Sequence, residues 1–205
     1  MKPNFFTEIT KSSLGKKTHV PIKYSPKILM AIPRPTNQRN KQKIHGLDIW
    51  NIYEVYWINI NKKPSMNICK ITYNSNSSFI IEAKSLKLYI NSLFNKPFKS
   101  IDELKSTIEK DIKNILKTPL TIHLYSCEKQ NKTNQAIGQC LEKEIKTTTP
   151  FKAFLFNNVT CKETLYTNCF RSLCPITKQP DFATIAITYT GKKIDKQSLF
   201  DYLIQ

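Results

Sequence analysis

Arginine, histidine and acidic residues are all in short supply in this 205-residue sequence. Only three arginines (Arg34, Arg39, Arg171) stand among 32 Lys+Arg, against 15 Asp+Glu, for a net charge of +17. That charge invites a nucleic-acid reading. The shortage of Arg argues against it, because bidentate contacts to bases and phosphates rely on the guanidinium fork. The excess is Lys, spread along the chain with Asn and Ile, as AT-rich coding produces by drift. It reads as a solvated coat whose field favours anionic ligands such as a phosphorylated cofactor, with no specific nucleic-acid partner. After His45 the only histidine is His123, and no two of the six cysteines are spaced C-x2-C. A zinc site is therefore not supported, and no metal is expected. No apolar run approaches the ~18 residues of a membrane-spanning helix. MKPNFFTEITKSSLGKK at the start has neither the apolar stretch nor the cleavage site of a signal peptide. The sparse cysteines then read as thiols of a cytoplasmic protein.

What is present suffices for a core. Hydrophobic residues make up 40% and aromatics 11%, which suits one ordinary domain or two small ones. Residues 1–45, punctuated by Pro21, Pro26, Pro33 and Pro35, read as an irregular, partly ordered arm. DIWNIYEVYWINI (48–60) and SMNICKITY (65–73) read as strands of an antiparallel hairpin around Asn61–Pro64. FIIEAKSLKLYINSLF (79–94) reads as a strand end or loop running into a helix. A second helix is predicted from Phe98 to Leu116, with a capping box at Ser100 and Glu103 and a stop at Pro119. LTIHLY (120–125) is a strand, and 127–150 is a polar linker or excursion. FKAFLF (151–156) resumes apolar character. FATIAITYT (182–190) is a strand, Gly191-Lys192-Lys193 a turn, and Asp195 caps a final helix.

Two clusters could carry chemistry. In Glu82-Ala83-Lys84-Ser85-Leu86-Lys87-Leu88-Tyr89, a carboxylate opens a helix and Lys84 and Lys87 share a face. That suits a ligand bearing both a ring with amine donors and a phosphate; it also describes a capped surface helix with solvated lysines. In Cys174-Pro175-Ile176-Thr177-Lys178-Gln179-Pro180-Asp181, the thiol sits near Arg171 and Lys178, cations that would favour the thiolate. Asp181, rigidly preceded by Pro180, could serve as an acid or base; a buried Cys beside a turn Asp fits the same residues.

Glu-x-Lys-Ser-x-Lys-Leu-Tyr at 82–89, preceded by Gly46-Leu47-Asp48-Ile49-Trp50 and Tyr53-Glu54-x-x-Trp57, resembles the signature of the NADPH-dependent 7-cyano-7-deazaguanine reductases. Ser172-x-Cys174-x-Ile176-Thr177-x-Gln179-Pro180-Asp181 is similar to that family's catalytic stretch. The order of the two looks like the long, two-module branch. The resemblance implies an α+β tunnelling fold (T-fold), antiparallel sheets with helices on one face, in two tandem modules. The first would cover 46–126 and an incomplete second 151–205. It implies reduction of the nitrile of 7-cyano-7-deazaguanine by NADPH, through a Cys thioimide, on the route to queuosine in tRNA. Cys174 would be the nucleophile and Asp181 the general acid, raised in pKa by burial. Ile81, Glu82 and Ala83 would bind the base; Ala83, Lys84, Ser85 and Lys87 would line the NADPH site. A homodimer or larger ring is implied.

Three departures from the family pattern stand out. Ala83 occupies a position usually Ser or Leu, and Pro175 one usually aliphatic. Relatives also continue past Gln205 into a segment with a substrate-contacting His-Glu pair. A decayed relative that only binds the base, and a basic RNA-binding protein, are the alternative readings. An incomplete second module would leave Phe151, Phe154, Phe156 and Phe182 poorly covered, and so favour poor solubility or partner-dependent folding.

Overall fold

Alternation of apolar and polar residues shapes the second strand of the long hairpin (Pro64–Asn74) and the last strand (Pro180–Ile194). The computed structural model describes residues 9–10, 16–34, 45–126, 136–174 and 176–204. Its contacts divide the chain into residues 1–130 and 131–205. Both units are α+β. Among the described residues, no helix is long and apolar enough to cross a membrane.

In the first unit a short strand β1 (Ala31–Pro33) precedes the long hairpin of β2 (Leu47–Asn59) and β3 (Pro64–Asn74). β4 (Phe79–Ile81) pairs with β1 in a separate two-stranded sheet. Helix α1 (Ala83–Ser92), β5 (Pro97–Phe98), helix α2 (Ile101–Leu116) and β6 (Leu120–Ser126) follow. The main sheet has the order β5-β2-β3-β6. It is antiparallel except at β5, a two-residue strand that joins β2 in parallel. A bulge between Ile52 and Val55 interrupts the β2–β3 register.

The helices cover one face of this sheet by spacing. Leu104, Ile108, Ile112 and Leu116 recur every four residues of α2 and are buried, giving an apolar stripe. They meet Val55, Cys69 and Ile71 of the sheet and Leu86, Tyr89 and Ile90 of α1 in one core. Each such aliphatic side chain contributes about 1.5–3 kcal/mol by leaving water. The predicted helix from Phe98 begins three residues later. Phe98 is in β5, because Ser100 caps α2 by accepting from the Glu103 N–H (3.2 Å). The Glu103 carboxylate returns to the Lys99 N–H (2.7 Å), one residue before the cap. The helix ends at Lys117 in the left-handed region (φ 55°), just before Pro119.

Part of the arm read as irregular is fastened down. The Tyr24 hydroxyl donates to Asp111, which also accepts from the Tyr89 hydroxyl at 2.7 Å. Arg34 pairs with Asp48 and donates Nε–H to the Ser77 carbonyl (2.9 Å). Burial, then the Asp111 carboxylate, drive both phenols far above the ordinary tyrosine range.

The second unit is a ribbon. β8 (Phe156–Leu173) and β9 (Pro180–Ile194) pair antiparallel, and β7 (Gln139–Cys140) adds to β8 in parallel. Helix α3 (Lys196–Leu203), capped by the Asp195 carboxylate on the Ser198 N–H (2.8 Å), closes one face. Its Leu199, Phe200 and Leu203 pack with Leu141 and Leu165. The turn expected at Gly191–Lys193 is instead the continuation of β9, paired through Gly191↔Cys161 and Lys192↔Thr160. The 127–150 stretch is more than a linker, since Leu141 is buried in this core; residues 127–135 lie outside the described residues. Phe151 and Phe154 gather edge-on around Tyr202, while Phe156 (56%) and Phe182 (69%) are exposed.

Asp111→Ala would strand the buried Tyr89 phenol and the half-buried Tyr24 phenol. It is expected to cost about 2–4 kcal/mol in urea unfolding, against about 1 kcal/mol for Tyr89→Phe, which leaves the carboxylate paired with Tyr24. Asp201 titrates in the second unit. Burial pushes its carboxyl up, but the Thr149 hydroxyl (2.6 Å) and N–H (3.0 Å), with Gln197, outweigh this and hold it below the usual aspartate range. A depressed folded pKa stabilises above the unfolded value near ~3.9 and is lost as pH falls through the folded value. The stability advantage of the parent over Asp201→Asn should therefore be full at pH 7 and shrink below about pH 4, as read by melting at each pH.

Candidate functional site

The first cluster is built where β4 ends and α1 begins. Glu82 is only 4% exposed and is the N-cap: its carboxylate accepts the Lys84 N–H (3.0 Å) and the Ser85 N–H (2.7 Å). A carboxylate there also complements the positive end of the helix dipole. The Glu82 N–H donates to the Met30 carbonyl (2.9 Å). The Ser85 hydroxyl donates to the Glu82 carbonyl (2.8 Å) and accepts the Met30 N–H (3.1 Å). Ser85 is thus buried and its hydroxyl committed to backbone. Ile81 is buried beside it, with its N–H on the Tyr73 hydroxyl (3.4 Å), which also accepts from the Trp50 indole (3.1 Å).

Leu86 and Tyr89 of the motif are buried in the core, whereas Ala83, Lys84 and Lys87 face outward. Lys84 is half-buried and its ammonium donates to the Lys16 carbonyl (2.6 Å). Ala83 and Lys87 are exposed on a cleft of about 260 Å³ between α1 and the bulged part of β2, lined also by Trp50, Tyr53, Glu54 and Leu86. The cleft has room for one aromatic ring system, with an ammonium at its edge, and is too small for a whole dinucleotide. That donor set fits part of a phosphorylated, ring-bearing cofactor: aromatic walls for a ring, lysines for phosphate. Asn51 and Asn91 line it too; in a chain so rich in Asn nothing singled them out.

The second cluster is the hairpin tip between β8 and β9. The Cys174 N–H donates to the Gln179 carbonyl (2.9 Å), and the Lys178 N–H returns to the Cys174 carbonyl (3.0 Å). Lys178 sits in the left-handed region (φ 58°) to make that return. Pro175 lies outside the described residues. Cys174 is half-buried, and its sulfur accepts the Thr177 N–H (3.4 Å). The Thr177 hydroxyl, then the Thr177 and Ile176 amides, hold this thiol below its usual range against a smaller upward push from burial and from the Asp181 charge. The expected helpers were the cations Arg171 and Lys178; neutral donors in the loop act instead. The opposite extreme is Cys69, whose burial in the first core pushes its thiol up to about 12. Asp181 pairs across the ribbon with Ser172. It is exposed, so the burial expected for it is not found, because it stands at the open end of the ribbon.

A family profile described as nitrile reductase, 7-cyano-7-deazaguanine reductase N-terminal region, matches residues 21–124. Proteins named NADPH-dependent 7-cyano-7-deazaguanine reductase are similar along nearly the whole chain. The one from Legionella pneumophila (strain Lens) is 36% identical over 94% of this chain and 72% of its own length. The one from Coxiella burnetii (strain Dugway 5J108-111) is 34% identical over 95% and 74%. The chain belongs to the 7-cyano-7-deazaguanine reductase family. The profile takes in the cluster at 82–89. A match over 94% of 205 residues leaves roughly a dozen unmatched, so it reaches the 174–181 hairpin as well.

Because Glu82 opens α1, its replacement has a structural signature. Glu82→Ala is expected to destabilise the first unit by about 1–2 kcal/mol in urea unfolding, the cost of an N-cap. Glu82→Gln, which keeps one acceptor oxygen, should lose less than half of that.

Proposed function

We propose that this chain is an NADPH-dependent reductase that converts the nitrile of 7-cyano-7-deazaguanine to an aminomethyl group, on the route to queuosine in tRNA. The observation that carries the reading is that the match to relatives of that name takes in the hairpin where the Thr177 N–H donates to the Cys174 sulfur (3.4 Å) and Asp181 pairs with Ser172.

In this reading the Cys174 thiolate adds to the nitrile carbon. A C–S bond forms, a π pair of the triple bond moves to nitrogen, and Asp181 supplies a proton there, giving a thioimide. The overall change is R–C≡N + 2 NADPH + 2 H⁺ → R–CH2–NH2 + 2 NADP⁺, and NADPH provides both hydrides. Covalent attachment splits a difficult four-electron reduction into easier steps. After the first hydride the carbon is a tetrahedral amino thioether; its nitrogen lone pair expels the Cys174 thiolate, breaking the C–S bond and leaving an imine for the second hydride, and the loop donors make that thiolate a better leaving group.

Glu82 accepts from the N–H donors of the base. Its two oxygens each take one helix amide, and an ionised carboxylate has about four lone-pair sites, so acceptor capacity remains. The Ile81 and Ala83 backbones flank it. Lys84 and Lys87 meet the cofactor phosphates, Ala83 lies along the cofactor, and Ser85 acts by fixing the first turn of α1. The four-stranded sheet with two helices in the first unit supports a T-fold module, with the ribbon and α3 as part of a second. The exposed Phe156, Val159 and Phe182 on that ribbon support assembly with a second copy, and a cytoplasmic setting suits free thiols and NADPH.

Incubation with the nitrile base alone should yield an adduct at Cys174, seen as a mass increase equal to the base on the peptide carrying that residue. Cys174→Ala should form none, and NADPH oxidation should need both base and Cys174. An intact base-binding site without any adduct would rule out the covalent reading.

A further inference from the structure

Beyond Asn91 the first unit has a second cleft, of about 380 Å³. Val20 and Ile22 of the arm, Tyr56 of β2 and Phe94 in the single turn after α1 (Leu93–Asn95) form its walls. Asn91 lines both this cleft and the one beside Ala83, so the two adjoin. Tyr56 and Phe94 stack on each other (centroids 5.0 Å apart, planes at 24°), yet stay 44% and 40% exposed. The arm's wall is preformed. The Asn95 side-chain amide donates to the Pro21 carbonyl (3.1 Å), and the Ser25 N–H to the Ser92 hydroxyl (3.2 Å). A flat ring gains by leaving water against such a surface, and aromatic neighbours add to that gain.

We propose that this second cleft binds the adenine ring of the NADPH whose nicotinamide lies in the first. The inference rests on the reading of the first cleft as part of the cofactor site. Nicotinamide hands over the hydride, so it belongs beside Ala83, next to the residue read as holding the base. Ala83, Lys87 and Asn91 recur every four residues along one side of α1 and span about 12 Å at the helical rise. An extended dinucleotide laid along that side has Lys87 at its pyrophosphate and passes Asn91 to reach the second cleft. Charge gives the same direction. Glu54 lines the first cleft and would repel the phosphate on the adenosine ribose, whereas no acidic residue lines the second. Lys17 and Lys23, exposed on the arm on either side of Val20–Ile22 in the sequence, attract that phosphate.

The test measures binding of NADPH and of adenosine 2′,5′-bisphosphate, its adenine end alone, to the full chain by titration calorimetry. Stacking of a base is lost on alanine substitution, so Phe94→Ala should weaken both ligands alike, by about ten-fold. Should Phe94→Ala alter the circular dichroism spectrum, Ile22→Asp takes its place. Ile22 is 87% exposed and outside the core, and the new charge should weaken the same two ligands. Parent-like affinities in the variant overturn the proposal. So does a loss confined to NADPH, which would put the other end of the cofactor at Phe94, and so does a parent that does not bind the bisphosphate. A parent that oxidises NADPH with the nitrile base, and whose Phe94→Ala variant keeps the same KM for NADPH, overturns the adenine site and leaves the reductase reading standing. A parent that binds both ligands through Phe94 but oxidises no NADPH with the base supports the adenine site and overturns the reductase reading, so the two failures are distinguishable.

Discussion

One buried carboxylate joins the pieces of the first unit that hold the 82–89 motif. Glu82 ends β4 and starts α1, and its own peptide group is tied to Met30. Through Ser85 the same residue binds the arm a second time. Were the cap absent, the first turn of α1 would have unpaired N–H groups in a buried place, which costs as much as losing hydrogen bonds outright. The outward direction of Ala83 and Lys87 follows from that first turn, because on a helix the position of one residue fixes those that follow. The motif residue proposed to recognise the base is therefore also the one that aims the residues proposed to meet the cofactor.

How much of this was legible in the sequence depends on how local each feature is. The β2–β3 hairpin and α2 were readable because a period of two or of about four residues is repeated across many positions, with caps and turns at the ends. The start of α2 was misread by three residues since Phe98 is apolar and looks helical, yet pairs with β2. β8 was not legible: the apolar stretch 151–156 reaches only its first residue, Phe156, and in FNNVTCKETLYTNCFRSL the apolar residues are scattered and only Leu165 and Thr167 become buried. Gly191 looked like a turn, but an edge of a ribbon tolerates glycine without breaking. The fastening of Tyr24 to Asp111 spans 87 residues, and nothing local announces such a contact.

The same distinction separates what was readable at the two clusters. Glu82 as a helix opener, and Cys174 with Asp181 on one short stretch, needed only spacing. Which groups act on the thiol did not follow from spacing. Arg171 and Lys178 are near in sequence and carry charge, so they drew the expectation. Lys178, however, spends its backbone on the left-handed return to Cys174, and the loop turns Thr177 toward the sulfur. A tight loop with donors on its inner side is a recurring way of holding negative charge without a cation, and it is set by backbone conformation more than by residue charge.

The closeness of acid and thiol is itself a matter of register. Ser172 faces Asp181 across the ribbon, and residues directly opposed have Cβ atoms about 4.5–5.5 Å apart. Cys174 lies two positions beyond Ser172, on the same side by the period of the strand. A slip of one residue would turn Asp181 to the other face and remove it from the sulfur. The bulge between Thr167 and Phe170 sets that register on the loop side, while α3, packed on Leu165 further down the ribbon, anchors the other end. The polar, poorly covered ribbon thus has a requirement of its own. It must keep Asp181 opposite Ser172 near its tip, and it does so by pairing along its length, with few buried side chains. Pairing along the ribbon thus holds in register the residues proposed as nucleophile and acid, despite so little hydrophobic signal.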